Sequence, residues 1–209
     1  MPDFTVGFDL DLTLADTRCG IGAVYDALSA ETGTFVDSAL VTGRLGPPLE
    51  TELANWFPAA QIPAMADRFR ELYPGIAVPA TTPMPGARAA VDAVHRAGGR
   101  VLVVTAKNQR DAEATVAFLG LPVDHVVGWL WATEKGAALL EYGASVYVGD
   151  HVGDVDGART AGAVSVGVAT GLFDETALRD YGADVVLADL LAFPGWLEGT
   201  SLGANSPER

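Results

Sequence analysis

Two aspartates placed two residues apart, directly behind a short apolar run, constrain this chain more than any other feature. Phe4-Thr-Val-Gly-Phe8 reads as a buried strand, and Asp9-Leu-Asp11-Leu-Thr13 follows it at once. Alternate positions of an extended chain face the same way, so Asp9 and Asp11 can point into one space at the strand's C-terminal end. In a parallel sheet that is the edge where ligands bind. Two carboxylates buried together repel each other unless a cation or protons intervene. A divalent metal would resolve the conflict and leave one carboxylate free for nucleophilic attack. The plainer alternative, that the pair merely opens a turn, is weighed by what lies downstream.

Downstream of residue 86 the pattern alternates. Helices are expected at Gly86–Ala97, Asn108–Leu119, Thr133–Tyr142, Val152–Ala161 and Asp174–Tyr181, with a last one ending near Leu197. Between them, Arg100–Thr105, His125–Val127, Ser145–Gly149, Val164–Val168 and Val185–Leu187 read as strands. Such alternation predicts a doubly wound α/β fold, a Rossmann-like parallel sheet covered on both faces. Residues 17–79 differ: apolar positions recur at helical spacing over Ile21–Ala30 and Met65–Tyr73, and Pro47 and Pro48 suit the start of a helix running through about Trp56. No strand is placed there. The chain thus divides into a core of residues 1–16 and 80–198, an inserted all-helical cap of residues 17–79, and a polar tail, Gly199–Arg209, expected to be disordered. The insertion enters just behind the carboxylate pair, where a helical lid could exclude water.

Three further stretches lead to the same sheet edge. Thr105 ends an apolar strand, and its hydroxyl with neighbouring amides, such as that of Ala106, could hold a phosphate oxygen. Asn108 reads as an N-cap, with Asp111 three residues on. Lys135 stands in the first turn of a helix, where a cation opposes the macrodipole, and only one other lysine, Lys107, occurs in the chain. Recruitment of Lys135 to bind an anion would explain the placement; a solvated surface lysine is the bland alternative. Val146-Tyr-Val-Gly-Asp150 then runs from strand straight into a carboxylate, and Asp154 follows at a helix start. Oxygen ligands of this kind suit Mg2+. His151 is expected to face solvent.

Taken in order, these stretches resemble the four motifs of the haloacid dehalogenase-like hydrolase superfamily: Asp9-Leu-Asp-Leu-Thr13, Thr105, Lys135, and Gly149-Asp150 with Asp154. Val104-Thr-Ala-Lys107, Gly46-Pro-Pro-Leu49 and Pro85-Gly-Ala87 are most similar to its phosphoglycolate phosphatase-like branch. Leu12 stands where the family commonly has glycine, and Lys135 lacks the usual following proline. The resemblance implies a Mg2+-dependent phosphomonoester hydrolase working on a small phosphorylated metabolite. Asp9 would be the nucleophile and Asp11 the general acid and base. Asp9, the Asp11 carbonyl, Asp150 and Asp154 would hold the metal, and Thr105 and Lys135 would be the catalytic and substrate-binding contacts to the phosphoryl oxygens. A phosphosugar mutase, or a non-catalytic phosphate-binding module, stays open as an alternative. The absence of lysine from residues 16–83 argues against a phosphonatase, which forms a Schiff base on a cap lysine.

Charge and composition narrow the partners. A net charge of −14 disfavours nucleic acid and anionic membranes. No apolar run is long enough to span a bilayer, the N-terminus does not read as a secretory signal, and one cysteine, Cys19, fits a reducing cytoplasm. Oligomeric state cannot be read from the sequence. In the insertion, Arg44 on the loop Thr42–Pro48 is the candidate for a second anionic group of the substrate. Arg68 and Arg70 read as a solvated helix face, and Arg18, in the hinge close to the core, is a weaker alternative to Arg44.

Overall fold

The computed structural model describes residues 4–202. Strand β1 (Thr5–Phe8) is buried along its whole length, and after six residues the chain enters the short strand β2 (Ala15–Asp16). A helical segment follows: α1 (Arg18–Thr32), α2 (Ser38–Thr42), α3 (Leu49–Leu53) and α4 (Ile62–Ile76). Strand β3 (Thr82–Pro83) returns the chain by pairing antiparallel with β2. Helices and strands then alternate through α5 (Ala87–Arg96), β4 (Arg100–Val104), α6 (Gln109–Leu119), β5 (His125–Val127) and α7 (Lys135–Glu141). The alternation ends with β6 (Ala144–Gly149), α8 (Val152–Ala161), β7 (Val164–Val168), α9 (Glu175–Tyr181), β8 (Val185–Leu187) and α10 (Phe193–Glu198).

Six strands form one sheet in the order β5-β4-β1-β6-β7-β8, and every neighbouring pair is parallel. This is the doubly wound sheet that the alternation predicts. Side-chain alternation distributes its core over both faces. Val101 and Val103 join the cluster containing Phe8, Val148 and Phe193, whereas Leu102 and Val104 join Leu139, Tyr147 and Ala158 on the other face. The chain runs outward from β1 to β4 and β5, then crosses to β6 on the opposite side of β1. The order therefore reverses at β1, and the C-terminal ends of β1, β4 and β6 border the crevice where doubly wound folds bind ligands.

The helical segment packs around a core of its own, with Tyr25, Leu28, Leu53, Phe69 and Tyr73 among its buried side chains. Here local chemistry departs from the sequence reading. α2 goes unread because it is a single five-residue helix, capped by Asp37, whose side chain accepts the Leu40 amide. Pro63 falls in the first turn of α4, where its missing N–H costs nothing, so the helix begins at Ile62, ahead of the expected Met65. Pro74 lies inside the same helix and cannot donate to the Arg70 carbonyl. The Arg110 guanidinium of α6 donates to that carbonyl instead, which removes the penalty of an orphaned acceptor. Of the expected tail, Gly199 closes α10 and Leu202 packs against the core; residues 203–209 lie outside the described residues.

Candidate active site

Parallel register brings the motif residues to one edge. Phe8 pairs with Val103 on one side and Val148 on the other, so the residues that follow the three strands leave the sheet together. Asp9 prolongs the ladder by donating its amide to the Val148 carbonyl at 2.8 Å. Asp150 follows β6, and Thr105 follows β4 with its amide on the Val127 carbonyl. The chain between Asp9 and β2 then turns sharply. Leu12 takes a left-handed φ of 59°, its amide bonds the Ala15 carbonyl, and its own carbonyl accepts the Thr170 hydroxyl at 2.6 Å. A buried leucine therefore occupies a conformation that glycine would adopt freely. The turn also aims Thr13, whose hydroxyl donates to Asp150 Oδ1 at 3.2 Å.

One ammonium holds the centre. Lys135, 1% exposed, donates from Nζ to Asp9 Oδ1 at 2.8 Å, Asp154 Oδ1 at 2.6 Å and the Tyr147 hydroxyl at 2.9 Å. A lysine with these partners is no solvated surface residue. Asp154 is both a ligand-type carboxylate and a helix cap, because its Oδ2 accepts the His151 amide at 3.0 Å. Asp9, Asp150 and Asp154 each offer an oxygen within 4.8 Å of the others, and all three are buried. Three carboxylates against one ammonium leave an excess of negative charge. Burial pushes the Asp9 carboxyl up to about 7, against the pull of Lys135 and with the push of Asp154. Burial likewise drives Asp150 well above the usual carboxylate range, helped by the charges of Asp154 and Asp9. Such a group is short of positive charge. An all-oxygen, hard donor set of this kind fits a divalent cation such as Mg2+.

Asp11 stands apart from these three. Its Oδ1 accepts the Thr17 hydroxyl at 2.6 Å, and its Oδ2 lies 3.1 Å from Lys107 Nζ. Lys107, to which the sequence reading gave no role in the site, is the charged neighbour of Asp11. Its side chain is 7% exposed, its ammonium lies 4.4 Å over the Tyr73 ring of α4, and the Asp11 charge raises its pKa against the opposing effect of burial. The rarity of lysine in the chain and its place in the stretch Val104-Thr-Ala-Lys107 were the available signals for it.

Between sheet edge and helical segment lies a cavity of about 150 Å3. Asp11, Ala106, Lys107 and Trp129 line it from one side, and Tyr25, Arg44, Arg70 and Tyr73 from the other. Arg44 thus reaches the cavity, but its guanidinium is held bidentately by Glu52, at 3.0 and 2.7 Å. Arg70 is not part of a solvated face. Its side chain is only 17% exposed, its guanidinium stacks 4.6 Å over Trp129, and it pairs with Glu50. Arg68 does lie on an exposed face, paired with Glu31, whereas Arg18, read as close to the core, is also exposed and pairs with Asp16. His151 is also corrected. It is partly buried between Trp131 and Phe173, with Nδ1 accepting the Gly153 amide at 3.0 Å, and Gly46 of the helical segment packs against its ring. Thr105 is buried, and its Oγ1 accepts the Lys107 amide at 3.3 Å.

Comparison with known proteins identifies the family. Residues 6–159 match the family model for haloacid dehalogenase-like hydrolase, and residues 131–193 match a second model of the same kind. The chain belongs to the haloacid dehalogenase-like hydrolases. Among curated relatives, a phosphoglycolate phosphatase from Caulobacter vibrioides is 29% identical, covering 91% of this chain and 89% of its own. Another phosphoglycolate phosphatase, from Agrobacterium fabrum, is 27% identical with 88% of each chain covered. Solved structures of similar fold include a haloacid dehalogenase-like family protein from Streptococcus pneumoniae, at TM-score 0.81 and 22% identity over 93% of this chain and 98% of that one. A hydrolase from Pseudomonas syringae has TM-score 0.76 at 19% identity, over 94% and 98%. No helix among the described residues is long and apolar enough to cross a membrane.

Proposed function

We propose that this haloacid dehalogenase-like hydrolase is a Mg2+-dependent phosphatase of small phosphorylated metabolites, of the phosphoglycolate phosphatase kind. The observation that carries the reading is the shared ammonium of Lys135, bonded to Asp9 and Asp154 with Asp150 beside them. Asp9 Oδ, Asp150, Asp154 and the Asp11 carbonyl would hold the cation, which supplies positive charge to a phosphoryl group and lets its negative oxygens approach three carboxylates. The relatives named phosphoglycolate phosphatase support the substrate class, and the cavity of about 150 Å3 suits a leaving group of few atoms.

The protein's own residues divide the work. Asp9 attacks phosphorus in line as the ester P–O bond breaks, giving an aspartyl-phosphate and an alcohol. Asp11 gives its proton to the departing oxygen, then takes one from the water that attacks the aspartyl-phosphate. That attack releases inorganic phosphate and regenerates Asp9. Lys135 and Thr105, with the Ala106 amide, hold the phosphoryl oxygens, and Arg44 on the cavity wall is the candidate contact for a second anionic group. The segment of residues 17–79 serves as a cap over a core formed by 1–16 and 80–198, its separate hydrophobic cluster supporting that division. We assign the enzyme to the cytoplasm, in keeping with its single, exposed cysteine.

A panel of phosphorylated metabolites, assayed with Mg2+ and with chelator, tests the reading. Phosphate release that requires Mg2+ and disappears in a folded Asp9→Asn variant is expected. Activity that survives that substitution would remove Asp9 as nucleophile, and release that is indifferent to chelator would remove the metal.

A further inference from the structure

Tyr147 carries a hydroxyl that the proposed reaction does not use. The residue is on β6, and its side chain is 1% exposed within the cluster of Leu102, Val104 and Leu139. Phenylalanine would pack there equally well, and a buried hydroxyl is costly unless it is bonded. Its bonds are specific. Tyr147 donates to the Val104 carbonyl at 2.7 Å and accepts from Lys135 Nζ at 2.9 Å, and its oxygen lies 3.3 Å from Asp154 Oδ1.

The route the ring takes is built into β1. Strand order places β1 between β6 and β4, so a β6 side chain must cross β1 to reach the Val104 carbonyl. Gly7 is the β1 residue paired with Tyr147, and a Cβ at Gly7 would stand 2.8 Å from Tyr147 Cδ2. A buried strand position without a side chain leaves space for the ring to lie across it. Because the hydroxyl proton is committed to Val104, a lone pair is turned toward Lys135.

We propose that Tyr147 is a positioning residue for Lys135. The other two partners of the ammonium, Asp9 and Asp154, are carboxylates of the acidic group, and each has a second engagement when a cation and a phosphoryl group are present. The tyrosine hydroxyl is the neutral partner among the three, anchored to backbone, and it keeps Nζ directed at the phosphoryl site while the carboxylates change partners. The inference rests on the reading of Lys135 as a phosphoryl-oxygen ligand.

Tyr147→Phe tests it, with inorganic phosphate as probe in the presence of Mg2+ and calorimetry as readout. Phosphate affinity is expected to fall about tenfold, as for loss of one hydrogen bond to a charged group. Affinity for Mg2+ alone should change less than twofold, which separates positioning of Lys135 from general damage to the carboxylates. With p-nitrophenyl phosphate, Tyr147→Phe in a Lys135→Met background should add less than twofold to the loss in kcat/KM, because the hydroxyl then has nothing to position. Phosphate affinity unchanged within twofold, or effects of the two substitutions that multiply, would overturn the proposal. Should the phenylalanine variant not fold, Tyr147→Met removes the same hydroxyl and is judged by the same outcomes. Wild-type protein that neither binds phosphate nor hydrolyses any phosphomonoester refutes the phosphatase reading and the inference with it. Normal wild-type binding that Tyr147→Phe leaves intact refutes the inference alone.

Discussion

Lys107 Nζ lies 3.1 Å from Asp11 Oδ2, with the Tyr73 ring of the helical segment 4.4 Å below the same ammonium. One lysine from the loop behind β4 thus meets both the second aspartate of the motif and a residue that covers the cavity. The contact matters because Asp11 is held from two directions, by Lys107 and by the Thr17 hydroxyl, and neither partner touches Asp9 or Asp154. Asp11 is therefore oriented independently of the three clustered carboxylates.

Replacing Lys107 should weaken that orientation. Lys107→Met is expected to lower kcat/KM for every phosphomonoester, by at least about tenfold but within the 10²–10⁴-fold that a positioned acid–base group contributes. Steady-state kinetics on phosphoglycolate and p-nitrophenyl phosphate will check it. A loss confined to the acidic substrate would instead make Lys107 a leaving-group contact.

Arg44 is predicted to behave differently. Its guanidinium lines the cavity but is already paired with Glu52, which also accepts the Trp56 indole N–H at 2.7 Å. A second anion on the substrate would share the arginine with Glu52, a weaker contact than a free guanidinium would give. Arg44→Ala should therefore reduce kcat/KM for an acidic substrate by about three- to tenfold, as for loss of one partly screened ionic hydrogen bond. Hydrolysis of p-nitrophenyl phosphate, which offers no second anion, should hardly change. Equal effects on both substrates would remove Arg44 from specificity.

Asp124 offers a pH test away from the site. Partial burial raises its pKa, but the Val101 amide at 2.7 Å and His95 at 2.9 Å outweigh that and hold the carboxyl below its ordinary value of 3.8. A pKa lower in the folded than in the unfolded chain stabilises the fold above the unfolded value and loses that contribution as pH falls through the folded one. Asp124→Asn should destabilise by no more than about 1 kcal/mol at pH 7, since the group is partly exposed. The difference should be smaller at a pH below the ordinary value of 3.8 than at pH 7, as the folded carboxyl takes up its proton. Urea titrations of both proteins at the two pH values measure it.

What could be read beforehand follows from range in the sequence. The parallel sheet was legible because strands and helices alternate with strong periodicity, and Asp9, Thr105 and Asp150 were legible because each directly follows an apolar strand. The helical segment was harder. α2 is a single short helix without a periodic signature, and Pro63 and Pro74 signal breaks that the position at the helix start and the Arg110 side chain make tolerable. Arg70 has the sequence context of an exposed face, and only its approach to Trp129, 59 residues away, removes it from solvent. The ties of Lys107 to Asp11 and of Tyr147 to Lys135 are contacts between elements, for which local pattern carries no sign.

Leu12 supports the last prediction, because it separates backbone cost from packing. It is buried, yet its φ of 59° places it in the left-handed region that a leucine occupies at about 1–2 kcal/mol. The Ala15 carbonyl and the Thr170 hydroxyl hold the turn whatever the side chain, since both bonds are to Leu12 backbone. Leu12→Ala should lose the buried side chain, at about 2–5 kcal/mol, and keep the backbone strain. Leu12→Gly loses slightly more surface but relieves the strain. At an ordinary buried site glycine would be the less stable of the two, by roughly 0.5–1 kcal/mol. Here the order should reverse, with Leu12→Gly melting at or above Leu12→Ala and turning over substrate at least as fast. If thermal unfolding instead places the glycine variant clearly below alanine, the positive φ carries no penalty at this turn, and packing alone sets the stability of the residue between the two aspartates and Thr13.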